Sequence, residues 1–98
     1  MSKATVIRYR TKGPAETEEN VRLIRAVFEQ LASDGPAGAQ YAVYQLGDGQ
    51  DFMHVVTGDG SALSEVSAIK DFQRGIADRI AAPPTVTEST RLGEYPPA

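Results

Sequence analysis

Two segments of helical periodicity flank a hairpin signal, and this order restricts the chain more than any other feature. The hairpin signal is Asp48-Gly49, between two runs of strand-forming residues, Gln40 to Leu46 and Asp51 to Thr57. Tight hairpin turns need positive φ, which Asp-Gly adopts readily. Gly58-Asp59-Gly60 closes the second run. Upstream, Val21, Ile24, Phe28 and Leu31 recur at spacings of three and four, and Leu23 and Val27 widen the stripe. Glu16, Glu18 and Glu19 suit the positive end of that helix, with Thr17 as its expected N-cap. Glu18–Arg22 and Arg25–Glu29 fall at (i, i+4) on the wet side. Gly35-Pro36 is a helix stop. Downstream, Ile69, Phe72, Ile76 and Ile80 repeat at helical spacing, from a start near Ser64 or Ser67 to a stop at Pro83-Pro84. Gly75 within that helix costs about 1 kcal/mol relative to Ala, which points to close backbone packing. Thr5 to Arg10 opens the chain as a strand and Thr85 to Leu92 closes it as another.

Strand, helix, hairpin, helix, strand is the order of a ferredoxin-like βαββαβ unit. The expected fold class is α+β: a four-stranded antiparallel sheet with both helices on one face. With 98 residues and no linker-like stretch, residues 1–98 are expected to form a single domain. The helices leave one sheet face open, and alternation assigns residues to it. Met53 and Val55 are wholly apolar and are expected under the helices, together with Tyr9 and Tyr44. Phe52, His54, Val56, Tyr41, Val43, Val6 and Arg8 are then expected on the open face. So many large apolar groups do not sit in water, so a homodimer through the open sheet face is expected.

Composition removes several classes of function. The chain has no cysteine and one histidine, so disulfides, thiol catalysis and a zinc site are not expected. Neither G-x-G-x-x-G nor a Walker loop occurs, and no cofactor is expected. The Gly-Asp-Gly turns lack the alternating acids of a calcium loop. Net charge is −3 and the ten Lys and Arg residues are scattered, which argues against a nucleic-acid partner. No apolar stretch has the length of a membrane span. The N-terminus enters a strand without the apolar run of a secretory leader, so a cytoplasmic protein is expected.

The candidate site is built around the lone histidine. His54 is a candidate general base near neutral pH. Arg8, expected beside it on a neighbouring strand, is a candidate holder of an anion. Tyr41, Val43, Phe52 and Val56 are the expected pocket lining. Each has a plainer reading: His54 hydrogen-bonded across the sheet or interface, Arg8 paired with Glu88 or a partner acid, and the apolar groups packed in a dimer core.

Three segments carry a family resemblance: Val6-Ile7-Arg8-Tyr9-Arg10-Thr11, Asp51-Phe52-Met53-His54-Val55, and Phe72-Gln73-Arg74-Gly75-Ile76-Ala77-Asp78-Arg79 with the following Pro83-Pro84. The chain resembles the dimeric α+β barrel superfamily, specifically small bacterial proteins similar to antibiotic-biosynthesis monooxygenase (ABM) domains. The resemblance implies a sheet-to-sheet dimer with a pocket in each half. Some such proteins are cofactor-free oxygenases acting on polycyclic phenols, some degrade haem, and others have no known activity. This chain has no Trp, which the active members commonly place in the pocket, and no helical His like that of the haem degraders. Two functions are expected from this. One is a cofactor-independent ABM-like monooxygenase or isomerase acting on a small aromatic or polyketide-like molecule. The alternative is a non-catalytic dimeric ligand-binding or accessory protein.

Overall fold

The computed structural model describes residues 2–58 and 60–96. Its elements follow the expected order. They are β1 (Ser2–Arg10), α1 (Pro14–Asp34), β2 (Ala39–Leu46), β3 (Asp51–Gly58), a short 3-10 helix (Gly60–Glu65), α2 (Ser67–Arg74), α3 (Ile76–Arg79) and β4 (Thr85–Arg91). The strands form one antiparallel sheet in the order β2-β3-β1-β4. The two central strands are thus the first strand of the chain and the second strand of the hairpin, as the split βαββαβ connection requires. Gly47 and Gly49 in the hairpin turn both have positive φ.

Local chemistry explains the element ends, with two departures from expectation. Helix α1 begins at Pro14 with Gly13 at the cap position, four residues before the expected cap Thr17. A proline suits the first helical turn because its missing N–H has no helical partner there. Thr17 instead donates its hydroxyl to the Gly13 carbonyl at 2.8 Å and bonds the Thr11 hydroxyl, tying α1 to the end of β1. The wet-side pair of Arg22 is Glu19, one residue closer than Glu18. At the other end the Gly35 N–H closes α1 on the Leu31 carbonyl. The second helix breaks at Gly75 into α2 and the single turn α3.

The expected facing of β2 and β3 is reversed, whereas β1 faces as expected, with Val6 and Arg8 on the open side and Tyr9 under the helices. Directly opposed residues of antiparallel strands share a face. The register opposes His54 to Ile7 on β1 and to Val43 on β2, and Phe52 to Tyr9 and Gln45. This set faces the helices: Phe72 of α2 packs its ring on His54, and Phe28 of α1 stacks on Tyr41. Phe52, His54, Val56, Tyr41 and Val43 are therefore under the helices, and the open face carries Met53, Val55, Val6, Arg8, Ala42 and Tyr44. Tyr44, expected under a helix, is 51% exposed. The physical reason is burial with compensation. Phe52 is the largest fully buried side chain and outweighs Met53 as core, and His54 is buried because partners on other elements satisfy its nitrogens. The core beneath the helices joins Tyr9, Val27, Phe52, Leu63, Val66, Ile69, Phe72 and Ile80.

Candidate functional site

A continuous chain of hydrogen bonds runs through this apolar layer. Tyr41 on β2 bonds His54 Nδ1 at 2.6 Å. His54 Nε2 bonds the Tyr9 hydroxyl on β1 at 2.7 Å. Asn20 on α1 donates its Nδ2 to the same hydroxyl at 2.9 Å. Arg79 at the end of α3 donates Nε to Asn20 Oδ1 at 3.1 Å and Nη2 to the Phe72 carbonyl at 2.6 Å. Its guanidinium also lies over the Phe72 ring, 4.8 Å from the centroid. Five elements thus contribute one polar side chain each, and Asn20, His54, Tyr9 and Arg79 are all buried.

The backbone explains how Arg79, a surface residue by type, enters the core. The Lys12 N–H donates to the Arg79 carbonyl, the Ala81 N–H donates to the Arg10 carbonyl, and Thr11 bridges Ile80. These bonds stitch the exit of α3 to the end of β1. Arg79 is then held against Asn20 of α1 and Phe72 of α2.

Burial sets the electrostatics of the chain. It pushes the His54 pKa down to about 4, so the imidazole is neutral at pH 7. It pushes the Tyr9 pKa up to about 12, against the Asn20 hydrogen bond and the Arg79 charge, which lower it. It raises Tyr41 further still, with Tyr9 adding to the effect. Burial also lowers Arg79, chiefly opposed by Tyr9 and Glu19, and a guanidinium so lowered stays charged. The site is therefore three uncharged hydrogen-bonding groups in line, anchored through an amide to one cation. Such a chain can take up, pass on or hold a single proton, and can donate to an oxygen placed at its end.

Of the expected site residues, the structure brings His54 and Tyr41 into direct contact. Phe52 stacks on Tyr9 at a centroid distance of 5.5 Å and so borders the chain. Val43 stands opposite His54 and Val56 opposite Tyr41, both on the same face. Arg8 is not part of the site. It opposes Met53, its side chain is exposed on the far face, and the sheet separates it from His54. The cation of the site is Arg79, which sequence reasoning missed together with Asn20. A signal was present. Asn20 precedes Ile24 and Val27 at helical spacing, and Arg79 follows Phe72 and Ile76, so each is a polar residue inside an apolar stripe. Among the described residues no cluster of three or more His, Cys, Asp or Glu side chains is placed to hold a metal. A broad surface groove between α1 and the β2–β3 turn, lined by Glu19, Arg22, Arg25, Gln45 and Gln50 among others, includes none of the chain's five residues. Among the described residues no helix is long and apolar enough to cross a membrane.

Fold and register together define an α+β protein of ferredoxin-like topology with a buried polar chain between sheet and helices. Solved structures with this architecture include a Nitrosomonas europaea protein provisionally named antibiotic biosynthesis monooxygenase, which aligns with a TM-score of 0.77 at 20% identity over 99% of this chain and 94% of that one. Rv0793 from Mycobacterium tuberculosis aligns with a TM-score of 0.70 at 18% identity over 97% and 99%. A Chloroflexus aurantiacus protein with the same provisional name aligns at 0.67, with 19% identity and 97% of each chain. The chain therefore has the ferredoxin-like fold of ABM-like proteins. No family model matches the sequence, and no curated protein matches it.

Proposed function

We propose that this protein is a cofactor-independent monooxygenase or isomerase of the ABM type, acting as a homodimer on a small aromatic or polyketide-like molecule. The observation that carries the reading is the neutral His54 imidazole held between two phenols in the sheet–helix layer. Burying four hydrogen-bonding side chains, with a fifth partly buried, in a chain this small is costly unless all are satisfied, and clusters of perturbed ionisable groups concentrate at functional sites. With a pKa near 4, His54 is a weak base. It suits a substrate that gives up its proton readily, such as a polyphenol or a carbon between two carbonyls. The Tyr41 hydroxyl and the buried Arg79 supply donor and positive potential for the anion that results.

The open face supports the dimer. Val6, Val55 and Ala42 form an apolar row across three strands, flanked by Met53 and Tyr44. A second copy stacked on this face covers that row, with Arg8 at its margin.

The test is turnover of a panel of mono- to tricyclic phenols under oxygen, with no metal, flavin or haem added. Loss of activity in His54→Gln and Tyr41→Phe, with the dimer intact, supports the reading. A specific observation favours the second reading, a non-catalytic ligand-binding or accessory protein: His54 is only 4% exposed and both its nitrogens are already engaged. If no phenol is consumed and none shifts the melting temperature, that second reading replaces the first.

A further inference from the structure

We propose that Asn20 and Arg79 are positioning residues that fix His54 as the Nδ1–H tautomer and so leave the Tyr41 hydroxyl hydrogen as the donor offered to a ligand oxygen. The argument is an inventory of hydrogens along the chain. A guanidinium only donates, so the Asn20 atom facing Arg79 Nε is the carbonyl oxygen, and the amide NH2 faces Tyr9. The Tyr9 oxygen therefore accepts from Asn20. Two arrangements remain. In the first, Tyr9 O–H donates to His54 Nε2, His54 Nδ1–H donates to the Tyr41 oxygen, and the Tyr41 hydrogen is left over. In the second, Tyr41 O–H donates to Nδ1, Nε2–H donates to the Tyr9 oxygen, and the Tyr9 hydrogen is left over.

The chain holds one more hydroxyl hydrogen than it has acceptors, so the question is which end carries it. Tyr9 is 7% exposed, in the core beside Phe52, and its hydroxyl is already met by Asn20 and His54. A hydrogen left there has no acceptor among the described residues. Tyr41 is only partly buried, and among the described residues its hydroxyl has no partner besides His54. A hydrogen left there has no second partner crowding the hydroxyl and needs only one oxygen, of water or a ligand, as its acceptor. Orphaning a buried donor is costly, and the difference favours the Nδ1–H form by about tenfold or more. Protonating His54 turns both hydroxyl hydrogens away from the ring, so an extra proton is held only when a ligand oxygen accepts the Tyr41 hydrogen, and the unliganded chain carries one mobile hydrogen. The direction of every bond from Arg79 to Tyr41 is set at the Arg79 end.

The tautomer assignment stands whether or not a reaction occurs at the site; only the ligand oxygen rests on the function proposed above. The experiment is long-range 1H–15N correlation on the 15N-labelled full chain at pH 7. The chain has one histidine, so its two ring nitrogens are unambiguous. The expected result is an unprotonated Nε2 and a protonated Nδ1, in a ratio of about ten to one or more. Asn20→Asp is the inverting variant. A carboxylate accepts from both Arg79 and Tyr9, turns the Tyr9 hydrogen away from His54, and should make Nε2 the protonated nitrogen. Tyr9→Phe removes the source of the bias, and the ratio should fall toward parity. A dominant Nε2–H form in the unsubstituted protein overturns the proposal without any variant. An unchanged ratio in folded Asn20→Asp, or in folded Tyr9→Phe, overturns it as well. A merely structural role for Asn20 would alter stability and leave the tautomer where it was.

Discussion

Lowering the pH from 8 to 5 should destabilise this protein through a single residue. The unfolded imidazole of His54 titrates near its ordinary value of 6.5, whereas the folded one is held down to about 4 by burial. Above pH 6.5 neither form is charged and the histidine adds no pH dependence. As the pH falls below 6.5 the unfolded chain takes up a proton that the folded chain refuses, and stability drops until the folded group titrates too. At pH 5 the unfolded group is favoured by roughly 1.5 pH units, a loss of about 2 kcal/mol, approaching about 3 kcal/mol by pH 4. His54 is 4% exposed, so solvent screening calls for little discount. The groups around it are Tyr9, Tyr41 and Phe72, with Asn20 and Arg79 beyond, and none is a carboxylate that would stabilise an imidazolium. Urea unfolding at fixed protein concentration, at pH 8, 6.5 and 5, measures the loss, and subtracting the same series for His54→Gln removes the carboxylate background. An unsubstituted protein equally stable at pH 8 and pH 5, or a His54 ring that titrates near 6.5 by NMR, would refute the reasoning.

Other substitutions probe the packing and the two faces. Phe72→Ala should cost about 3–5 kcal/mol, because the ring is 6% exposed and touches both His54 and the Arg79 guanidinium. Phe28→Ala, at a ring only partly buried against Tyr41, should cost clearly less, and equal losses in urea titrations would show that the core is misplaced. Gly58→Ala should lose about 1–3 kcal/mol or more, since φ is +84° and a Cβ would run into the Gly38 carbonyl oxygen, while Gly47→Ala, with positive φ but open space, should lose less. Thermal melts ranking the two the other way would contradict this. Val55→Glu on the open face should turn the expected dimer into a folded monomer by light scattering, and a dimer that survives the charge would move the interface elsewhere.

The order of elements was legible because each carries its own short-range signal: helical stripes, a turn that needs positive φ, and proline stops. The facing of the sheet was not. In β3 both alternations are apolar enough to serve as core, and the one containing His54 looks like the wet choice when that strand is read alone. His54 is buried because Tyr9 and Tyr41, on two other strands, meet its polar demand, and Asn20 on α1 in turn holds Tyr9. Such compensation is non-local, and a shift of one position in register exchanges every residue between faces. Grouping Phe52, His54 and Val56 with Tyr41 and Val43 was correct, but Arg8 was grouped with them although its neighbour Ile7 is the residue that opposes His54. The same non-locality hid Arg79, whose place depends on backbone bonds between the ends of α3 and β1.

The break at Gly75 bears on any attempt to improve this protein. Its φ of −113° and ψ of 14° are open to any residue, so exchanging it for alanine looks like a routine way to strengthen a helix. A Cβ there, however, would press on the Arg79 Nη1 atom at 3.3 Å, against the guanidinium that anchors Asn20. A more continuous helix would also compete with the turn that carries Arg79 inward. The engineer's stabilising exchange and the alignment of the buried hydrogen bonds therefore pull in opposite directions at this residue. Gains in melting temperature at Gly75 should come with a less fixed orientation of the hydrogen bonds that run from Arg79 through Asn20 and Tyr9 to His54.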